Sequence, residues 1–341
     1  MPDSKKSKAP SMVDVAREAG VALVTVSRVL NEPDAVRPDT RRRVTDAIAR
    51  LGYRRNDVAR ALKSGRSTTI GVVIAGSELF ELPRILRGVE SAARQGGYWV
   101  NMASWQEGSN EELVTAVERL ASQAVEGVAI IADRPVAAAA LEQLMTRVPI
   151  TVVMSGELRN PSIGSVELDQ ELGARLATEH LLDLGHRDIV HLTGPLDVFD
   201  AKARLNGWRK SMERAGVDDP LHAEGDFSAA SGFRLTQELL TLNRMPTALF
   251  AANDQMAMGV LSALAQHQVA IPEKISVVGF DDIAGSEYLV PSLTTVRQDF
   301  VALGRTSVEL LLGMIGGAAA AHYFIAPTLI ARDSSGPVPS H

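Results

Sequence analysis

The chain has 341 residues, 45% of them hydrophobic, no cysteine and a net charge of -6. That length is too great for one ordinary core and implies several domains; the missing cysteines exclude disulfides, thiolate metal sites and cysteine nucleophiles. The charge is split: residues 1 to 66 hold 15 Lys and Arg against 8 Asp and Glu, and the remainder hold 20 against 33. A basic head on an acidic body points to a polyanion-binding module joined to a body with other partners. The N-terminal MPDSKKSKAP has lysines but no apolar run behind them, and no window approaches the roughly 20 apolar residues of a membrane span, so a cytoplasmic location is expected.

Residues 1–10 read as a disordered basic tail. Ser11 and Asp14 then have the spacing of a capping box, and Gly20 is a natural helix terminator, which gives a first helix of two turns. At about 100° per residue, Ala22, Val26, Val29 and Leu30 fall on one side of a second helix, with Val24, Ser27, Arg28 and Asn31 on the other. Val24 is apolar on a face that should be polar. A third helix begins at Pro38, carries Val44, Ile48 and Leu51 at core spacing and stops at Gly52. Three short helices with a glycine turn between the first two describe a helix-turn-helix over 11–56. NDVARALKSGRS follows with little to pack against and reads as a hinge helix and linker over 57–67.

From Ile70 the pattern alternates β-rich runs with amphipathic stretches: IGVVIA, a helix near 83–96, YWVNMAS, a helix near 110–123, GVAIIA, a helix near 136–146, and ITVVM. The rhythm restarts after Leu168 with a helix ending near Gly185, DIVHLTG, a helix near 200–216, TALFAAN, a helix near 254–268, and ISVVGFDD. Such alternation implies right-handed βαβ units in two doubly wound lobes.

Ligands of doubly wound sheets sit outside the carboxyl ends of the strands. Asn253 and Asp254 follow TALFAA, Asp281 and Asp282 follow ISVVGF, and Arg204 lies in the helix after LTGP. An amide, a carboxylate and a guanidinium beside an aromatic such as Phe227 or Phe300 suit a polyol, whose hydroxyls take hydrogen bonds while the ring covers an apolar face. Helix capping is the competing reading for the Asn and Asp residues. No nucleophile elbow, P-loop, dinucleotide fingerprint or His-Glu-x-x-His is present, so a non-enzyme is expected. Adjacent carboxylates such as Asp281 and Asp282 point to opposite faces of a strand and make no acid/base couple. His180, His186 and His191 have spacings that match no common zinc pattern, and neither cofactor nor metal is expected. The Arg41-Arg42-Arg43 run suits either phosphate contact or a solvated helix face.

The segments VDVAREAGV, TVSRVLN, NDVARALKSG, HLLDLGHRDIVHLTGP, ARLNGWRKSM, EGDFSAASGF, FAANDQMAMGVL, ISVVGFDD and LTTVRQDF resemble the lactose repressor family of bacterial transcription regulators, from residue 11 to about 333. The core segments are most similar to those of the lactose-responsive member. The resemblance implies an α/β chain: an all-α helix-turn-helix head, a hinge helix, and a two-lobed, doubly wound, periplasmic-binding-protein-like core over 68–333. Lobe 1 is expected over about 68–167 and 299–323, lobe 2 over about 168–298 and 324–333, and a tail over 334–341. It further implies a homodimer that binds a palindromic double-stranded operator and a small effector, commonly a sugar. Thr25, Ser27 and Asn31 would meet phosphates, and Arg28 a guanine edge. Leu23 and Val24 would stand where the family reads bases, next to thymine methyl groups. Tyr53, Asn56 and Ala59 would meet the DNA beside the hinge, and Leu62 would wedge into the central minor groove. Arg204, Phe227, Asn253, Asp281, Gln298 and Phe300 would line the effector cleft. Ala22 departs from the usual capping serine, Phe227 from a tryptophan, and the strand ending Val153-Met154-Ser155 lacks an acidic residue. The chain ends without leucine heptads, which favours a dimer over a tetramer.

Overall fold

A computed structural model describes residues 10–53, 66–75, 81–105, 109–132, 148–153, 160–241 and 245–338. The expected basic tail, most of the hinge, the helix expected at 136–146, and Asn56, Ala59 and Leu62 lie outside these residues. Two compact units divide the chain, Met1–Ser67 and Thr68–His341.

The head contains helices α1 (Met12–Ala19), α2 (Leu23–Asn31) and α3 (Pro38–Leu51). Ser11 and Asp14 form the capping box, with the Ser11 N–H donating to the Asp14 carboxylate at 2.9 Å. Gly20 and Gly52 both end their helices in the left-handed region, at φ 63° and 61°. Val15, Ala16 and Ala19 of α1, Val26 and Val29 of α2, and Val44 and Ala47 of α3 form one small core. Ala22, expected on the core side, is instead the exposed N-cap of α2 and makes no side-chain cap.

The larger unit contains two six-stranded sheets. The first has the order β11-β5-β4-β3-β1-β2, built from β1 (Thr69–Ala75), β2 (Trp99–Trp105), β3 (Val128–Ile131), β4 (Ile150–Val153), β5 (Gly164–Leu168) and β11 (His322–Ile325). The second has the order β12-β10-β9-β8-β6-β7, built from β6 (Ile189–Thr193), β7 (His222–Glu224), β8 (Ala248–Ala251), β9 (Ser276–Asp281), β10 (Thr294–Arg297) and β12 (Thr328–Ile330). The pairs within the first sheet are parallel; in the second, β12 runs antiparallel to β10. Central strands such as VAII, ITVV and ALFA are buried along their whole length because helices cover both faces.

The chain crosses between sheets three times, after β5, after β10 and after β11. Strand β11 pairs with β5 through Ile325. Residues 334–338 are not a free tail. Ser334 is fully buried, the Val338 N–H donates to the Leu184 carbonyl at 2.9 Å, and buried His186 bonds Gly336 O at 3.0 Å. Helices Leu82–Gln95 and Phe300–Ile315 cover the first sheet and cross where Gly88 and Gly304 meet; a Cβ on either would overlap the facing backbone.

Candidate DNA-binding head and effector cleft

Helix α2 carries the exposed chemistry of the head. Its buried valines fix its rotation, which leaves Arg28 and Asn31 exposed and Thr25 and Ser27 half-buried. The Asn31 amide donates back to the Ser27 carbonyl at 2.8 Å, holding it along the helix. Leu23 and Val24 are 47% and 61% exposed and absent from the head core, so the apolar residue on the polar face is real. Tyr53 packs half-buried against that core. The arginine run is locally engaged: Arg41 pairs with Asp34 at 3.1 Å and Arg42 with Asp39 at 2.8 Å. Arg43 reaches back to the Ala19 and Gly20 carbonyls and closes the end of α1, a structural duty.

In the larger unit, the helix after β6 and the carboxyl ends of β8, β9 and β10 bring four expected residues, Arg204, Asn253, Asp281 and Gln298, close together, and the end of β5 adds Gln170. Arg204, on helix Phe199–Arg214, is buried, with its guanidinium carbon 4.0 Å from the centre of the Phe280 ring and 5.8 Å from that of Phe227. Its Nε donates to Gln170 Oε1 at 2.9 Å and its Nη1 to the Ala252 carbonyl. Its Nη2 lies 3.6 Å from Asp200 and 3.7 Å from Asp281. Gln170 Nε2 donates to Gln298 Oε1 at 2.9 Å, and Gln298 Nε2 to Asp281 Oδ1 at 2.6 Å, closing a ring of four side chains. Gln170 also donates to Asp200 at 3.0 Å.

Burial pushes the Asp281 carboxyl well above its ordinary range; the Arg204 guanidinium opposes this, and Glu81 of the first lobe and Asp254 add to it. Asp281 also has a φ of 104°, a left-handed conformation held by the network around it.

Asn253 carries out the capping reading. Its Oδ1 caps helix Asp254–Gln266 by accepting from Met256 N at 2.8 Å, and its Nδ2 donates to the Phe227 carbonyl at 3.0 Å. Phe227 itself has φ 66°, and its ring lies over Gly194, where a Cβ would collide with it. Phe300 is not part of this cluster. It is buried in the first lobe's core, with the Arg84 guanidinium 5.3 Å from its ring centre.

Asp254 and Asp282 are structural. Asp254 accepts from Ile283 N at 2.9 Å, Ser286 Oγ and Thr295 Oγ1, and tethers the loop after β9; burial raises its carboxyl despite these bonds. Burial would also raise Asp282, but Arg332 at 2.7 Å and Arg297 at 2.6 Å hold it below its ordinary value. The three histidines are separately employed: His180 on Ser335, His186 on Thr247, Ser276 and Gly336, and His191 on the Phe250 carbonyl. Among the described residues no group of three His, Asp or Glu stands ready for a metal ion.

Sequence reasoning missed Gln170 and Asp200. Both had a signal: Gln170 begins two residues after β5, where strand ends carry ligand chemistry, and Asp200 stands one helical turn before Arg204.

This geometry agrees with the sequence comparisons. Residues 11–56 match the profile of bacterial regulatory proteins of the lacI family, and residues 178–335 that of a periplasmic binding protein-like domain. The lactose operon repressor of Escherichia coli (strain K12) is 38% identical over 315 residues, 92% of this chain and 86% of the relative. The chain belongs to the lacI family. Another lacI-family relative, the ribose operon repressor of the same organism, is 35% identical over 312 residues, 89% of this chain and 93% of its own. The lac repressor dimer bound to operator and the anti-inducer ONPF superimposes with a TM-score of 0.84 at 36% identity, covering 96% of this chain and all of that one. The regulator CelR in complex with cellobiose gives 0.70 at 31%, covering 95% and 99%. The protein is thus a DNA-binding transcription regulator with the lacI-family architecture, a helix-turn-helix head and a two-sheet periplasmic-binding-like core. Among its described residues no helix is long and apolar enough to cross a membrane.

Proposed function

We propose that this regulator is a cytoplasmic, non-enzymatic homodimeric repressor, released from a palindromic operator when an uncharged sugar occupies the cleft between the lobes of its core. The observation that carries this reading is the closed ring of Arg204, Gln170, Gln298 and Asp281 at the carboxyl ends of the strands. Fixed donors and acceptors beside the half-buried Phe227 ring suit a ligand with many hydroxyls and one apolar face. Arg204 already lies within 3.7 Å of Asp200 and Asp281, which suits a neutral ligand better than an anionic one. Asn253 holds the Phe227 backbone beside this ring of side chains through its amide. The solved relatives named above hold ONPF and cellobiose, which supports a glycoside-like effector.

In the head, Arg28 reads a base edge while Thr25, Ser27, Asn31 and Tyr53 meet the phosphate backbone; Asn56, Ala59 and Leu62 serve the hinge contact. Effector binding alters the relation of the lobes and lowers operator affinity, which needs only different affinities for two states. The domain limits proposed are 11–56 for the head and 57–67 for the hinge, with the core beginning at 68.

The test is a thermal-shift screen of the full chain with galactosides, other sugars and purines, since a ligand of the folded state raises its melting temperature. A sugar hit should lower operator affinity in a gel-shift assay. A purine hit alone would replace the sugar reading, and a hit that tightens operator binding would reverse the sign of control. Light scattering at micromolar concentration should give a dimer.

A further inference from the structure

We infer that Leu23 and Val24 make the head a reader of pyrimidine C5-methyl groups, so that 5-methylcytosine can replace thymine in its operator; this rests on the operator-binding reading above. Both side chains stand on the first turn of α2, 47% and 61% exposed, and neither joins the head core. In a helix-turn-helix the N-terminal residues of the second helix face base edges in the major groove. Leucine and valine have no hydrogen-bonding atoms, so they cannot read the donors and acceptors that distinguish most base pairs there. The one apolar feature of that groove is the methyl at C5 of thymine. Val24 shares its face with Ser27 and Arg28 at helical spacing, so an apolar contact beside a phosphate and a guanine contact is sterically natural.

The occupant of this patch is DNA by charge. Residues 1 to 66 hold 15 Lys and Arg against 8 Asp and Glu, and Arg28 is exposed next to the apolar pair. The methyl at C5 is the same group on thymine and on 5-methylcytosine, and a van der Waals contact does not register the exocyclic amine at C4. The consequence is a head whose affinity for a site rises when a cytosine at these positions is methylated.

The test uses the full chain and selection from a random duplex library, followed by single replacements in the selected site. The selected half-site should carry thymine at adjacent base pairs under α2. Replacing either thymine with uracil, which lacks only the methyl, should weaken binding about fourfold, the equivalent of one buried carbon. Cytosine there should bind more weakly than 5-methylcytosine by a similar factor. Val24→Ala and Leu23→Ala, both on exposed positions, should each erase the uracil penalty at one base pair. Equal affinity for thymine and uracil at every position, or a selected site with no thymine under α2, overturns the inference while leaving operator binding intact. A selection that enriches no site overturns the operator reading and this inference with it.

Discussion

The guanidinium carbon of Arg204 lies 4.0 Å above the centre of the Phe280 ring, and Phe280 is the residue before Asp281 on β9. One strand therefore supplies both the face on which the arginine rests and the carboxylate that answers its charge. The side chain has no freedom left: a ring below it, Gln170 at Nε, Ala252 at Nη1, and Asp200 and Asp281 at Nη2. A cation held this way is preorganised for a ligand and contributes no reorganisation on binding.

Arg204→Ala should abolish effector response while the head still binds operator in a gel-shift assay. It removes one member of a buried charge cluster, so a loss of about 3–5 kcal/mol in stability is expected as well. Arg204→Lys keeps the charge but cannot serve Gln170 and Ala252 together, and should lower effector affinity with a smaller stability loss. Normal release of operator by either variant would remove Arg204 from the cleft machinery.

Gly194→Ala should act on Phe227. The new methyl meets the ring of Phe227, which is half-buried and already held at φ 66°. Calorimetry with the effector found in the screen should show weaker binding, while operator affinity without effector stays unchanged. Unaltered effector affinity would show that the Phe227 ring takes no part in binding.

Gly304→Ala should loosen the first lobe, because the added carbon collides with the Ile85 carbonyl of the crossing helix. Overpacking of this kind costs typically about 1–3 kcal/mol, which a urea titration would register as a lower midpoint. An unchanged midpoint would mean that the two helices separate freely at this crossing.

His191 should make the protein weaker in acid. The ring is fully buried, stacked 4.4 Å from Phe250, and burial lowers its pKa to about 3, against the weaker raising effect of the Phe250 carbonyl. The native state thus binds fewer protons than the unfolded chain between about pH 6.5 and 3. The stability contributed by neutral His191 is complete above about pH 6.5 and falls by about 1.4 kcal/mol per unit as pH drops through that window. His186 and His180, also lowered by burial, act in the same direction. His191→Phe should therefore flatten the fall in stability between pH 6.5 and 5 by close to one proton, as read from urea midpoints. An unchanged slope would place the acid sensitivity elsewhere.

The legible parts of this protein are those where local chemistry decides. Ser11 with Asp14, Pro38, Gly20 and Gly52 fixed the head helices to within a residue, because capping depends on atoms three or four positions apart. The β-rich runs marked strands in both lobes because a strand buried on both faces favours apolar residues along most of its length. The sequence also showed that Val24 belongs on an outward face, since helical rotation follows from Val26 and Val29 alone.

What sequence could not decide involved distances across the fold. Gln170 and Gln298 are 128 positions apart, and nothing local in LeuAspGln or ArgGlnAsp says that their amides meet. Phe300 looked like a cleft residue and packs in the first lobe's core instead, because helix Phe300–Ile315 returns to that lobe after β10. Residues 334–341 read as a tail, yet the buried His186 ring bonds the Gly336 carbonyl within them. In each case the deciding partner is brought by a chain crossing, so the sequence by itself determined the elements and their faces, and only the tertiary structure decided which polar groups satisfy one another.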